Sequence, residues 1–357
     1  MYLLQGELMK KFYLLSALTL ASTLFAAKEP DREPPPPPAE DPDLFYKDKQ
    51  IYSAHLEFLY WKPLEGALMY ALSMDKPSWN PSDTYPVGSY QHANYGFDPG
   101  FRITLGYFRA PRYWELWASY TRITSRGKDS VHPPSGPNTF LTSTWPTFFG
   151  DSLSSAKSRV HLNYNVADLS ADRYFIPNPH LRLRLIAGFT GAWMDQYWSI
   201  RYRDFDERKS HVQNRWKFGG AGFRIGMMAD WFWTNDIYVT IRGSLAALVG
   251  AYKNSMYQKN SVAPGPAYNP SFPLRNAEYT DARSTLNMQL LLGPSWQKSW
   301  KRVRTELFAG YEISLWNNLQ EIYQSVPAAP AFASQQTTIN SGMLTLQGLT
   351  TRFSIDF

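Results

Sequence analysis

The stretch TTRFSIDF, Thr350 to Phe357, places Phe353, Ile355 and Phe357 at every second position, with Arg352, Ser354 and Asp356 between them. That spacing is the period of a β-strand with one apolar and one polar face. Chain ends are ordinarily frayed and polar, so a patterned terminal strand needs a use for its apolar face. Either it covers the core of a soluble sheet, or it faces lipid on a membrane barrel whose polar face lines the lumen.

The same period recurs upstream. In IYSAHLEFLYW (51–61), Tyr52, Ala54, Leu56, Phe58 and Tyr60 alternate with Ser53, His55 and Glu57. In LRLRLIAGF (181–189) the leucines oppose Arg182 and Arg184, and in FRITLGYF (101–108) Phe101, Ile103, Leu105 and Tyr107 oppose Arg102 and Thr104. No run of 18 apolar residues exists outside the N-terminus, which excludes helical spans. A membrane form of this chain must therefore be a closed barrel, the other structure that satisfies its backbone in hydrocarbon.

The N-terminal stretch MKKFYLLSALTLASTLFAA (Met9–Ala27) has a basic pair, an apolar run and small residues after it, the layout of a secretory signal peptide over residues 1–26, with Met9 an alternative start. Its apolar run of about 14 residues is too short for a spanning helix. Next, EPDREPPPPPAEDPD (Glu29–Asp43) lies in a Pro-rich acidic segment, 27–50, that cannot form a ladder and is expected to be extended, as a periplasmic spacer or a cell-wall contact. The barrel is expected over 51–357.

Composition agrees. There are no cysteines, which excludes disulfides and thiolate chemistry, and 16% of residues are aromatic, as in interfacial girdles or carbohydrate-binding surfaces. Trp114, Trp117, Trp193, Trp198, Trp231, Trp233, Trp296 and Trp300 lie near expected strand ends and are predicted to form the girdle. The net charge is +6; without residues 1–26 (Lys10, Lys11 and Glu7) it is +5, and without the four bases and seven acids of 28–50 the barrel carries +8. No basic run forms a nucleic-acid patch, so nucleic acid is not an expected partner.

Long polar stretches at 75–96, 125–156, 253–281 and 318–341, with a shorter one at 204–212, alternate with tight connections at 109–112, 234–236 and 298–301 and a moderate one at 173–180, as extracellular loops alternate with periplasmic turns. The fold class predicted is all-β: a transmembrane antiparallel β-barrel of ten strands, 51–74, 97–109, 112–124, 157–172, 181–203, 213–233, 236–252, 283–298, 301–317 and 342–357. The first is taken as one strand with a bulge at KPLEG, which keeps Leu68, Tyr70, Leu72 and Met74 on the lipid face. Splitting 51–74 and 181–203 instead gives twelve.

No catalytic, cofactor or metal constellation emerges. The six histidines lack ligand spacing, no Gly-x-Ser-x-Gly or phosphate loop occurs, and Gly-Gly-Ala-Gly at 219–222 suits close strand packing. A protease or lipase with groups assembled across strands is the remaining enzymatic reading. The candidate pore-lining bases are Arg102, Arg182, Arg184, Arg224, Arg242, Arg304 and Arg352. The opposing acids are Glu57, Glu115, Glu306, Glu312 and Asp356. Seven against five predicts a weak anion preference, and pairing across a narrow lumen would instead make a plug.

Five segments, FLYWKPLEGALMYAL (58–72), FDPGFRITLGYF (97–108), LNYNVADL (162–169), LRLIAGFTGAWMDQYW (183–198) and GYEISLWNN (310–318), together resemble the Legionella-type pore-forming major outer-membrane protein family, with members in chlamydia-related bacteria. The resemblance implies an outer-membrane porin with a passive diffusion channel, and family analogy adds a homo-oligomer as one expected partner state; the absence of motifs predicts no cofactor. The lack of cysteine departs from relatives that cross-link through disulfides. Phe353, Ile355 and Phe357 resemble the terminal signal read by the barrel-insertion machinery. Outer-membrane lipid is the remaining expected partner. A second reading stands beside the porin: a surface structural or adhesion protein that uses the barrel as an anchor.

Overall fold

The computed structural model describes residues 50–357 apart from 67, 75–87, 110–113, 137–138, 146, 148–151, 179, 262–274, 301–302 and 326–336. The predicted signal peptide and Pro-rich segment lie outside the described residues. Among the described residues thirteen strands follow in order: β1 (Gln50–Glu65), β2 (Met69–Met74), β3 (Gly88–His92), β4 (Asp98–Arg109), β5 (Trp114–Val131), β6 (Phe140–Ser143), β7 (Leu153–Asn178), β8 (Leu181–Asp204), β9 (Lys209–Phe232), β10 (Ile237–Ser261), β11 (Arg275–Trp300), β12 (Val303–Ser325) and β13 (Thr337–Asp356). Ten of them close an antiparallel barrel in the order β1-β13-β12-β11-β10-β9-β8-β7-β5-β4, and β3-β2-β6 make a separate small sheet.

The terminal stretch is the closing strand. Phe357 and Tyr52 exchange backbone hydrogen bonds of 2.9 Å, and Phe353 is paired with Leu56. Phe353 and Phe357 point outward and exposed while Arg352, Ser354 and Asp356 are buried inside. An open edge in hydrocarbon would leave a row of unpaired amides and carbonyls, so this seam must shut along its length. Gly348 makes close approach possible there: a Cβ would lie 2.1 Å from the Tyr60 carbonyl oxygen. Gly348→Ala is expected to cost about 1–3 kcal/mol through backbone displacement, seen as a lower midpoint of the heat-modifiable band shift; an unchanged midpoint would show that the seam yields.

Outside, Leu185, Phe189, Phe223, Ile225, Val249, Leu290 and Leu307 form an apolar band, each 49–67% exposed. Trp114, Trp231, Trp233, Trp296 and Trp300 edge it near the short turns, and Trp193 and Tyr197 edge it on the far side. This is the aromatic girdle of a membrane barrel. Two predicted members depart from it. Trp198 is buried inside, where it donates to Ser158 at 2.8 Å. Trp117 turns inward, and its ring covers Gly106 across the strand pair, at 2.6 Å from the position of a Cβ there.

Two further differences concern strand ends. The predicted strand 51–74 breaks after Glu65, and its continuation leaves the wall. Leu68, Tyr70 and Leu72 are buried inside the molecule rather than set on the lipid face. The wall strands β5, β7, β10 and β11 also run well into the predicted loops 125–156 and 253–281. The Gly-Gly-Ala-Gly stretch sits within β9 against β10, where a Cβ on Gly222 would strike the Ala247 carbonyl.

Candidate lumenal site

Because side chains alternate along every wall strand, each inward position belongs to a ring around the axis. Nearest the short turns, Arg182 holds Asp230 at 2.8 Å, and Thr240 donates to the same carboxylate at 2.8 Å. Arg184 stands 3.7 Å from Glu115, which also accepts from the Tyr174 hydroxyl. Arg304 pairs with Asp356 at 2.7 Å and Arg352 with Glu306 at 2.6 Å. Aromatic faces cover three of these guanidiniums: Phe232 over Arg182 at 5.1 Å, Tyr174 over Arg184 at 4.4 Å, and Phe308 over Arg352 at 5.0 Å. Planar, weakly hydrated guanidinium suits such stacking.

One level up, Arg102 lies between two carboxylates, Glu57 at 2.6 Å and Glu312 at 2.8 Å, and its Nε donates to Thr121. Glu312 also accepts from Thr350 at 2.8 Å and from Gln289. Arg224 pairs with Asp168 at 2.9 Å and donates to Ser244 at 2.8 Å and to Asn287 at 3.1 Å. Arg242 faces the same space half-buried, with no carboxylate within 4.0 Å among the described residues.

Between these rings is a cavity of about 60 Å³, lined by His55, Glu115, Asp172, Arg184, Arg242 and Arg352 among others. Five polar atoms on those residues are buried without a hydrogen-bond partner: His55 Nε2, Asp172 Oδ1, and the Nε of Arg184, Arg242 and Arg352.

Above them the interior turns apolar. Leu59, Trp61, Tyr70, Trp145, Trp198, Trp216, Trp316 and Leu344 belong to one buried cluster, built jointly by the wall and by the small sheet β3-β2-β6. Trp145 packs edge-on against Trp198 with centroids 6.0 Å apart, and Tyr202 donates to the Tyr70 carbonyl at 2.5 Å. The Tyr70 hydroxyl donates to Asp129 at 2.9 Å, and burial together with that carboxylate pushes its pKa up. Glu65 is set among Gln196 at 2.5 Å and Gln320 at 2.8 Å.

The structure thus turns all seven predicted arginines, and Glu57, Glu115, Glu306, Glu312 and Asp356, into the barrel interior. Asp168, Asp172 and Asp230 join them, though the sequence reading did not name them. Asp230 had a signal, the parity it shares with Arg224, but on 157–172 Asp168 and Asp172 share theirs with Val160, Leu162, Tyr164 and Val166, so alternation alone hid them. No group of three metal-ligating side chains occurs among the described residues.

The family model described as Legionella pneumophila major outer membrane protein precursor matches residues 47–357. The chain belongs to this major outer membrane protein family. It is a protein of the Gram-negative outer membrane, and the departure of β2 from the wall lies within the matched region. No curated protein matches the chain significantly in sequence. Among solved structures, the outer membrane protease OmpT from Escherichia coli is similar at 10% identity and TM-score 0.42, with 86% of this chain and 96% of that one covered. A Pseudomonas aeruginosa FadL homologue aligns at 8% identity and TM-score 0.24, covering 87% and 90%. The Pseudomonas putida toluene transporter TodX aligns at 8% and 0.22, covering 87% and 90%. At these scores neither the protease nor the transporters inform the chemistry of this family member.

Proposed function

We propose that the protein is a passive outer-membrane channel for small hydrophilic solutes, held closed in this conformation by the small sheet β3-β2-β6 at the extracellular end. The observation that carries the proposal is the set of five partnerless buried polar atoms around the 60 Å³ cavity. Buried donors and acceptors left unpaired are costly, and a polar cavity of that size takes several water molecules. The lower lumen is therefore read as wet, and a wet, charged interior is the substance of a diffusion path. The sealed apolar section above it is read as the gate.

The anion preference expected from the sequence loses its arithmetic. Arg102, Arg182, Arg184, Arg224, Arg242, Arg304 and Arg352 are seven bases, and Glu57, Glu115, Asp168, Asp172, Asp230, Glu306, Glu312 and Asp356 are eight acids. Near-neutral rings discriminate weakly by charge. In a planar bilayer with a potassium chloride gradient, discrete salt-dependent steps are expected with a reversal potential near zero. A strongly anion-selective potential would restore the earlier expectation. A silent, folded barrel at every voltage would leave the anchor reading.

A further inference from the structure

Above the aromatic edge formed by Tyr120, Trp193 and Tyr197, the wall strands β5, β7, β8 and β9 continue, and their outer face changes from apolar to basic. Lys128, Lys157, Arg159 and Arg201 all point outward and are exposed. They are brought together by strand register: Lys128 is directly opposite Arg159, and Lys157 is directly opposite Arg201. The next outward pair up, Arg203 opposite Lys209, repeats the pattern. Like charges facing each other across a ladder are destabilising. Arg203 is relieved by Glu207 at 3.1 Å. The four below it have no carboxylate within 4.0 Å among the described residues.

Height and position narrow what could neutralise them. From Tyr197 to Arg201 is four residues, about 13 Å along a strand and about 9 Å above the girdle at a tilt near 45°. That is the level of lipid headgroups in the extracellular leaflet. The cluster is also one-sided. At the corresponding level β12, β13, β1 and the residue leading into β4 present Ile313, Asn317, Met343, Leu64 and Phe97 outward, with Lys62 as a single base among the described residues.

We propose that this face of the barrel binds a phosphorylated glycolipid headgroup of the outer leaflet, the phosphates lying between the facing Lys128–Arg159 and Lys157–Arg201 pairs. Phosphate takes bidentate bonds from guanidinium and point-charge contacts from ammonium. It would also lift the cross-strand repulsion, so binding and wall stability are coupled.

The test uses the full chain, folded in a neutral detergent, and titrates it with phosphorylated lipid A, with the same lipid after phosphatase treatment, and with inorganic phosphate. The variant is Lys128→Gln, Lys157→Gln, Arg159→Gln and Arg201→Gln combined, and Lys62→Gln on the opposite side is the control. Phosphorylated lipid A is expected to raise the unfolding temperature of the natural protein and of the control, and to bind the quadruple variant at least tenfold more weakly. Free of lipid, that variant should unfold no lower than the natural protein, because four mutually repelling charges have gone; this separates lost binding from lost fold. Equal binding by the variant, or equal binding of the dephosphorylated lipid, would overturn the proposal. An equal response to inorganic phosphate would overturn it too, leaving a bare anion site. The outcome does not depend on whether the lumen conducts.

Discussion

Trp145→Ala is expected to convert a mostly closed barrel into a mostly open one. Trp145 is fully buried and packs against Trp198 on the wall, so it ties the β6 end of the small sheet to the barrel interior. Truncating a buried tryptophan costs about 3–5 kcal/mol. Here the loss falls on docking of the sheet, because the wall keeps its own ladder hydrogen bonds. At tenfold per 1.4 kcal/mol, the closed-to-open ratio should drop by a hundredfold or more. Bilayer recordings would show this as a large rise in open time at unchanged unit conductance. If open time stays the same while the barrel remains heat-modifiable, the sheet is not the gate.

Arg102→Ala should be the most destabilising single change in the lumen. The guanidinium separates Glu57 and Glu312, at 2.6 and 2.8 Å, all three side chains being almost wholly buried. Removing one partner of a buried ion pair costs about 3–5 kcal/mol because the other charge is left uncompensated, and here two carboxylates are left facing each other. A matched variant separates pairing from packing: with Arg102→Met, Glu57→Gln and Glu312→Gln together, most of the loss should return. The midpoint of urea-induced unfolding in detergent reads both. A single variant as stable as the natural protein would mean that water, not Arg102, neutralises the two acids.

The faces of the wall were legible in the sequence because a strand alternates residue by residue, and that information is local. TTRFSIDF, LRLRLIAGF and FRITLGYF each separate an apolar from a polar face without knowledge of their neighbours, and closure into a membrane barrel then turns the apolar face to lipid and the arginines inward. The extracellular ends were hidden for a physical reason. On β5 above the lipid both faces are polar or glycine, Ser125, Gly127 and Asp129 inside and Arg126 and Lys128 outside, so that segment shows no contrast and reads as loop. Asp230 was legible in the same parity as Arg224, whereas Asp168 and Asp172 follow the inward apolar run Val160, Leu162, Tyr164 and Val166, which alternation alone would set on the lipid face.

What sequence could not supply was the fate of Leu68, Tyr70 and Leu72. An apolar alternation meets lipid and protein core equally well, and only the packing of Trp145, Trp198 and Tyr202 around them decides for the core. Pairing within the lumen is likewise tertiary. Arg102 and Glu312 are 210 positions apart, and Arg224 and Asp168 are 56. The chain alone determined a closed, outward-apolar barrel, since period and closure are set by backbone geometry and by the absence of water in hydrocarbon. Whether that barrel is filled, and which charges cancel inside it, depended on strand register and on where one strand leaves the wall, which are properties of the whole ring.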